Sequence, residues 1–431
     1  MFHLFLIYAS LLNTFAAMPG DGHPLLQDGG KHSHVFIGFQ NSSSEDGSID
    51  YYSNTLLKSL EVRSGGEIEL TENDMDIKSI SPDGYVLIKE RDWLTYRSVR
   101  LTAGAGGKIE KAYTIQGREY EFDADAQAWL SAILQDIARE TGLGAEARIK
   151  RILDQKGVAE AIREIRWVNS NRAKQIYFNA ILNSPKVSSL DIAKAVETVA
   201  HEISSSSRLG DLLISTAARF PEDSVLTESL IRATREISSS SKQSEVLIRI
   251  VELRQLNDDA AILMAKAVKH ISSSSAQGSA LENMAERVSG SDDVITAYVD
   301  AVGTVSSSSV KGEALKAIVR NKGISEDGFI KIIKSVEDIS SSSVQGDVLE
   351  RIAEVCPGTD RVLSAYLRAV SYISSSSEQG HSVLAMLRKK SVSASILTQT
   401  LQFANEEISS RSVRDEITER VTERLAKSGG R

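Results

Sequence analysis

The residue combinations in this chain that could do chemistry are few, and each is incomplete. His201-Glu202-Ile203-Ser204-Ser205 begins like a zinc-peptidase His-Glu-x-x-His, in which two histidines one helical turn apart hold the metal and the glutamate serves as base. Ser205 stands where the second histidine is needed, so no metal site is predicted there. His270 and His381 share no offset with it or with each other and read as surface or partly buried positions. Serine is abundant, yet no Gly-x-Ser-x-Gly elbow presents one as a nucleophile. The single cysteine, Cys356, precedes a proline in a loop and reads as a structural thiol. One cysteine builds neither an internal disulfide nor a cysteine zinc site. Gly104-Ala105-Gly106-Gly107-Lys108 superficially resembles a phosphate loop but lacks the spacer and the hydroxyl after lysine, and a hairpin turn explains it. His23, His32 and His34 could pinch a metal ion, although their Gly- and Ser-rich surroundings suit a linker that binds nothing. Asp258-Asp259 and Asp292-Asp293 fall where helices begin and suit the helix dipole. No catalytic, cofactor-binding or metal-ligating residue is therefore assigned, and no cofactor is expected.

The elements that position these residues follow from composition and period. The chain has 431 residues, 41% of them apolar and 25% charged, enough for a large core and too many for one ordinary domain. Fifty basic against 58 acidic residues give a net charge of −8, which argues against a dedicated surface for nucleic acid or anionic membrane and leaves room only for a local basic patch.

Ser-Ser-Ser-Ser occurs six times, starting at Ser204, Ser238, Ser272, Ser306, Ser340 and Ser374, always 34 residues apart. The apolar residue before each tetrad is Ile203, Ile237, Ile271, Val305, Ile339 or Ile373, and degenerate copies extend the frame to Val168 and Ile408. A period in this range marks a solenoid with atypical capping units at its ends. Before each mark runs a helical stripe such as Val294, Tyr298, Ala301 and Val302, and after it a second such as Leu281, Met284 and Ala285. Each unit is thus a helix hairpin that buries its faces only against its neighbours.

Serine is poor inside a helix and strong at its N-cap, where the hydroxyl accepts from an unpaired backbone N–H. Four units place glutamine three residues after the third serine, the spacing of a capping box. The predicted caps are Ser206, Ser240, Ser274, Ser308, Ser342 and Ser376. A hydroxyl ridge for glycan or peptide, or a row of modification sites, are the alternatives. Seven residues after the mark stand Gly210, Gly278, Gly312, Gly346 and Gly380, with Ser244 in the remaining unit. Glycine there costs about 1 kcal/mol relative to alanine, so its recurrence predicts close backbone approach of the second helix to the first helix of the same or next unit.

Upstream, Phe2 to Ala17 is an apolar run ending in small residues, which predicts a signal peptide over residues 1–17 and an exported, periplasmic or extracellular, location. A membrane tether or a plain helix are the alternatives, because the run has no preceding Lys or Arg and is short for a membrane span. No stable span is expected in the mature chain. Residues 18–60 read as a flexible linker. From 61 to 123 the period becomes two, predicting about five antiparallel strands, with a turn at Ser81-Pro82-Asp83-Gly84 whose glycine is free to take positive φ. Residues 124–168 read as connecting helices, of which Ala124 to Thr141, striped with Trp129, Leu130, Leu134 and Ile137, is the lid of the sheet. The repeat array is expected over 169–425, with a tail at 426–431.

The fold class is accordingly mainly α: a right-handed α-solenoid of seven to eight hairpins preceded by a small antiparallel β module. It resembles the HEAT and tetratricopeptide solenoids in architecture, without the tetratricopeptide signature. More specifically, Ile-Ser-Ser-Ser-Ser-x-Gln-Gly-x-x-Leu resembles the Ile-Ser-Ser repeats of exported bacterial proteins, which also follow the peptidase domain of β-lactam-sensor-like membrane metallopeptidases. No peptidase domain stands here, so the resemblance implies no peptidase activity. The expected function is a non-catalytic exported scaffold binding protein or peptide partners. The alternatives are a sensory module that binds an envelope ligand and signals to a membrane partner, or a hydrolase of unknown type.

Overall fold

The computed structural model describes residues 40–43, 48–55, 57–220 and 223–429. The segment read as a signal peptide, and His23, His32 and His34, lie outside the described residues.

Among the described residues nine strands come first: β1 (Gln40–Ser43), β2 (Ile49–Asn54), β3 (Lys58–Gly65), β4 (Ile68–Leu70), β5 (Ile77–Ile80), β6 (Tyr85–Asp92), β7 (Tyr96–Ala103), β8 (Ile109–Ile115) and β9 (Arg118–Tyr120). Seven form one antiparallel sheet in the order β1-β2-β3-β6-β7-β8-β9, and β4 pairs with β5 as a separate hairpin. Strands therefore reach back into 18–60, correcting the linker expectation. The Ser- and Asn-rich composition of β1 and β2 conceals them, while alternation still places Tyr51 and Ser53 inward. At Ser81–Gly84 the Gly84 amide donates to the Ser81 carbonyl at 2.9 Å. The positive φ falls on Asp83 rather than on the glycine, whose lack of a Cβ instead admits the Ile80 side chain.

The registers align Val62, Ile88, Val99 and Tyr113 across four strands, all buried. Helix α1 (Ala124–Thr141) covers this row with Trp129, Leu130, Leu134 and Ile137. Asp123 caps it and left-handed Gly142 ends it.

Next come α2 (Ala145–Lys156), α3 (Val158–Glu164) with a short 3-10 turn to Trp167, and α4 (Asn171–Asn183). Seven further pairs follow: α5 (Ser189–Glu202) with α6 (Ser206–Arg219), α7 (Ser224–Ala233) with α8 (Ser240–Leu253), α9 (Asp258–Val268) with α10 (Ser274–Ala285), α11 (Asp292–Gly303) with α12 (Ser308–Ile318), α13 (Glu326–Ser335) with α14 (Ser342–Val355), α15 (Asp360–Ser371) with α16 (Ser376–Leu387), and α17 (Ala394–Glu407) with α18 (Arg411–Gly429). With α3 and α4 these make eight hairpins among the described residues, so α3 belongs to the array rather than to a connecting region, and α18 runs to Gly429, into the stretch expected as a tail. All eight apolar marks are buried. First helices pack on first helices and second on second, giving two layers around one core from Ala145 to Val421. In that core the Tyr366 hydroxyl donates to the Ser382 carbonyl at 2.9 Å.

An ionic cluster joins the β module to the array. Arg148 on α2 donates through Nε to Asp74 at 2.7 Å, through Nη2 to Glu164 at 2.5 Å, and through Nη1 to the Tyr177 hydroxyl at 2.8 Å. Arg151 reaches the other oxygen of Asp74 at 2.7 Å. Burial pushes the Tyr177 phenol up to about 12, against the opposing pull of the Arg148 charge.

Candidate functional site

The tetrads occupy one edge of the array, where each first helix turns into its second. The cap falls one residue earlier than predicted. Ser205, Ser239, Ser273, Ser307, Ser341 and Ser375 have extended backbone, and their hydroxyls accept from the amides of Arg208, Lys242, Ala276, Val310, Val344 and Glu378. Ser206, Ser240, Ser274, Ser308, Ser342 and Ser376 are the first helical residues, and each turns its hydroxyl to the following unit. The Oγ pairs are Ser206 with Ser238 (2.9 Å), Ser240 with Ser272 (2.8 Å), Ser274 with Ser306 (2.7 Å), Ser308 with Ser340 (2.8 Å), Ser342 with Ser374 (3.2 Å) and Ser376 with Ser409 (2.8 Å). A hydroxyl ladder thus runs from unit to unit. The glutamines form no capping box. Gln243, Gln277, Gln345 and Gln379 are buried, and Gln277 and Gln345 donate to the Val268 and Val336 carbonyls at 3.4 and 3.2 Å. A buried amide requires such partners, which the i, i+3 spacing alone does not reveal.

The repeat glycines also act between units, against the next second helix and not against a first helix. A Cβ on Gly210 would come within 2.5 Å of Lys242, one on Gly346 within 2.7 Å of Glu378, and one on Gly380 within 2.5 Å of Val413; at Gly278 and Gly312 it would overlap Val310 and Val344. Ser244 faces the small Ala276 and donates to its carbonyl at 2.8 Å. Small and large residues are therefore matched pair by pair across the interface.

At the opposite edge the structure reveals a device the sequence reading missed. Arg254 donates to the Ala217 carbonyl, Arg287 to Val251, Asn321 to Ala285, Lys389 to Ala353, and Arg424 to Leu387. Each satisfies carbonyls at the end of the preceding unit's second helix, where the dipole favours a cation. The signal was a donor at or near the end of five of the second helices, α8, α10, α12, α16 and α18, hidden because Arg, Lys and Asn alternate there. Arg254 is the most buried of the cations, bonding also to Thr227 Oγ1 at 2.6 Å. Burial lowers its pKa, partly offset by Asp223.

Clefts open on the array among the described residues, and two of them carry polar side chains. One, of about 740 Å³, lies over the ends of α5, α7 and α9 and is lined by Glu197, His201, Arg232, Arg235, Glu236 and His270. Arg235 sits 2.8 Å from His270 Nε2, and His201 3.4 Å from Glu236. The second, of about 490 Å³, holds Cys356 beside Arg388, Lys389 and Lys390. Burial raises the Cys356 thiol, so the thiolate is disfavoured. Asp258 and Asp292 begin α9 and α11 and bind serine hydroxyls of a neighbouring unit, from Ser289 at 2.7 Å and Ser325 at 2.5 Å. Among the described residues no group of three or more His, Cys, Asp or Glu is placed to hold a metal ion, and no helix is long and apolar enough to cross a membrane.

The chain matches no protein-family model and no curated protein. The helical-repeat architecture is what the structure establishes.

Proposed function

We propose that the protein is a non-catalytic scaffold that binds a protein or peptide partner along its array. The observation that carries this reading is where the chemistry-bearing side chains are spent. Serines, arginines and aspartates of the repeat bond from one unit to the next, so the repeat maintains an extended surface and sets up no reaction. The cleft over α5, α7 and α9 is a recess on that surface, and its mixture of two arginines, two glutamates and two histidines suits a peptide carrying charges of both signs. The likeness of the unit to Ile-Ser-Ser repeats supports an exported bacterial protein, with residues 1–17 removed or retained as a tether.

The test is cross-linking from a photoreactive residue placed at Arg232, with the same probe at Glu313 on the outer face of α12 as control. A defined product at the first position, abolished by Arg235→Glu, supports the reading. Equal labelling at both positions, or hydrolysis by the purified chain that a single polar substitution abolishes, refutes it. Sequencing the mature N-terminus tests the location, since an intact Met1 in exported material excludes cleavage.

The Arg148 cluster favours the sensory alternative to one degree. It joins the sheet module rigidly to the first hairpin, so a ligand on one part would be felt by the other.

A further inference from the structure

Two of the three histidines among the described residues, His201 and His270, address one turn of the array from opposite sides. The turn is the 3-10 segment Thr234–Glu236 that follows α7, closed by a bond from the Ile237 amide to the Thr234 carbonyl at 3.1 Å. From the preceding unit, His201 in the last turn of α5 brings Nδ1 to 3.4 Å from Glu236 Oε1. From the following unit, His270 just beyond α9 places Nε2 2.8 Å from Arg235 Nη2.

The two contacts call for opposite protonation states. A guanidinium only donates, so His270 accepts through a bare Nε2 and carries its one proton on Nδ1. Protonation removes that lone pair and sets two cations against each other. The His201 contact responds the other way. A neutral imidazole donates Nδ1–H to the Glu236 carboxylate, and protonation turns the same contact into an ion pair. Arg235 and Glu236 are adjacent in one turn, so both changes act in the same sense: the turn is drawn toward α5 and released from α9.

The other charges on the packed elements are largely engaged. In the same cleft Glu197 takes the Ser229 hydroxyl at 3.2 Å, and Arg232 pairs with Glu228 at 2.8 Å. Lys174 on α4 holds Glu202, and Lys242 on α8 holds Asp211 and Glu245. Arg166 before α4, Arg208 on α6, and Lys266 and Lys269 on α9 are exposed, and α11 beyond α9 ends in the uncharged Gly303 and Thr304 with Asp300 a turn earlier. Histidine is the side chain whose charge ordinarily changes between pH 5 and 8, so His201 and His270 are what acidification alters here. We propose that these two histidines make the Thr234–Glu236 turn a pH-operated joint between units, which acidification fastens to α5 and detaches from α9, widening the cleft on its α9 side. The joint belongs to the array itself and does not depend on a peptide occupying the cleft.

Hydrogen exchange of the full chain, read by mass spectrometry at pH 7.5 and 5.5 and corrected for the intrinsic amide rate, tests it with no partner present. The end of α13, where no histidine stands, serves as the internal reference. Amides from Val268 to Ile271, among them the His270 amide bonded to the Ala267 carbonyl at 3.0 Å, should lose protection about threefold on acidification, the scale of one exposed charged contact. Amides at the end of α5 should gain protection over the same interval. His270→Gln, whose amide oxygen still accepts from Arg235 and takes up no proton, should keep the protection seen at pH 7.5 and lose the response at α9. His201→Gln should leave that response and remove the gain at α5. Change in the same direction at both helix ends, no change at either, or a response at α9 that survives in His270→Gln overturns the proposal.

Discussion

Replacing Gly278 with serine should destabilise the array, and replacing Val310 with alanine in the same chain should restore most of the loss. Gly278 lies within α10 at the point where the Val310 side chain of the next unit presses against it, so a Cβ there would overlap that side chain. Serine gains about 0.5 kcal/mol over glycine in helix propensity. Overpacking costs about 1–3 kcal/mol, for a net loss of about 1–2. Val310→Ala alone removes two half-buried methyl groups, at about 1 kcal/mol. Together the two substitutions reproduce the pair already present one unit earlier, in which the Ser244 hydroxyl donates to the Ala276 carbonyl at 2.8 Å. The overlap is then gone, and the new hydroxyl bond contributes about 1 kcal/mol. The pair should therefore be coupled by about 2–4 kcal/mol, the relieved overlap of about 1–3 plus the hydroxyl bond of about 1, read as a shift in the urea midpoint of helical circular dichroism at constant slope. Additivity of the two single changes within about 0.5 kcal/mol would refute matched small and large residues as the device that fits one unit to the next.

Ser273→Ala should cost about 1 kcal/mol as the lost cap of α10, whereas Ser274→Ala, whose hydroxyl accepts from the exposed Ser306 amide of the next unit at 3.2 Å, should cost less and act on the link between units; a larger loss at Ser274 than at Ser273 in urea unfolding would return the cap to the third serine. Arg148→Met leaves Asp74, Glu164 and Tyr177 without their shared partner and should cost about 3–5 kcal/mol, with the sheet module melting separately from the array by calorimetry. Tyr177 has a folded pKa of about 12 against an ordinary 10.0, so its contribution is complete below pH 10 and is lost as pH rises toward 12; stability should fall by about 2–3 kcal/mol over that window, and Tyr177→Phe should flatten the profile. Cys356 is buried and its thiol is held protonated, so alkylation of the native protein should be slow and should accelerate with the urea transition.

The sequence by itself determined the hairpin array, because a 34-residue period of apolar stripes has no way to bury its faces except by stacking copies. It also determined the sheet from Tyr85 onward, where alternation is regular, and the α1 lid. The small β1 and β2 strands escaped it, because Ser, Asn and Gly resemble a linker until neighbouring strands give their alternation a core side. Which serine caps depended on where the chain leaves extended backbone, a matter of one residue that the tetrad leaves degenerate. The partners of Gly278 and Arg254 were beyond sequence for a common reason: each acts on a residue more than 30 positions away, and its role exists only once two units are in contact. The bracket that His201 and His270 form around Arg235 and Glu236 is likewise a tertiary fact. The two histidines share no offset in the repeat, and they meet one turn only because the units on either side of α7 pack against it.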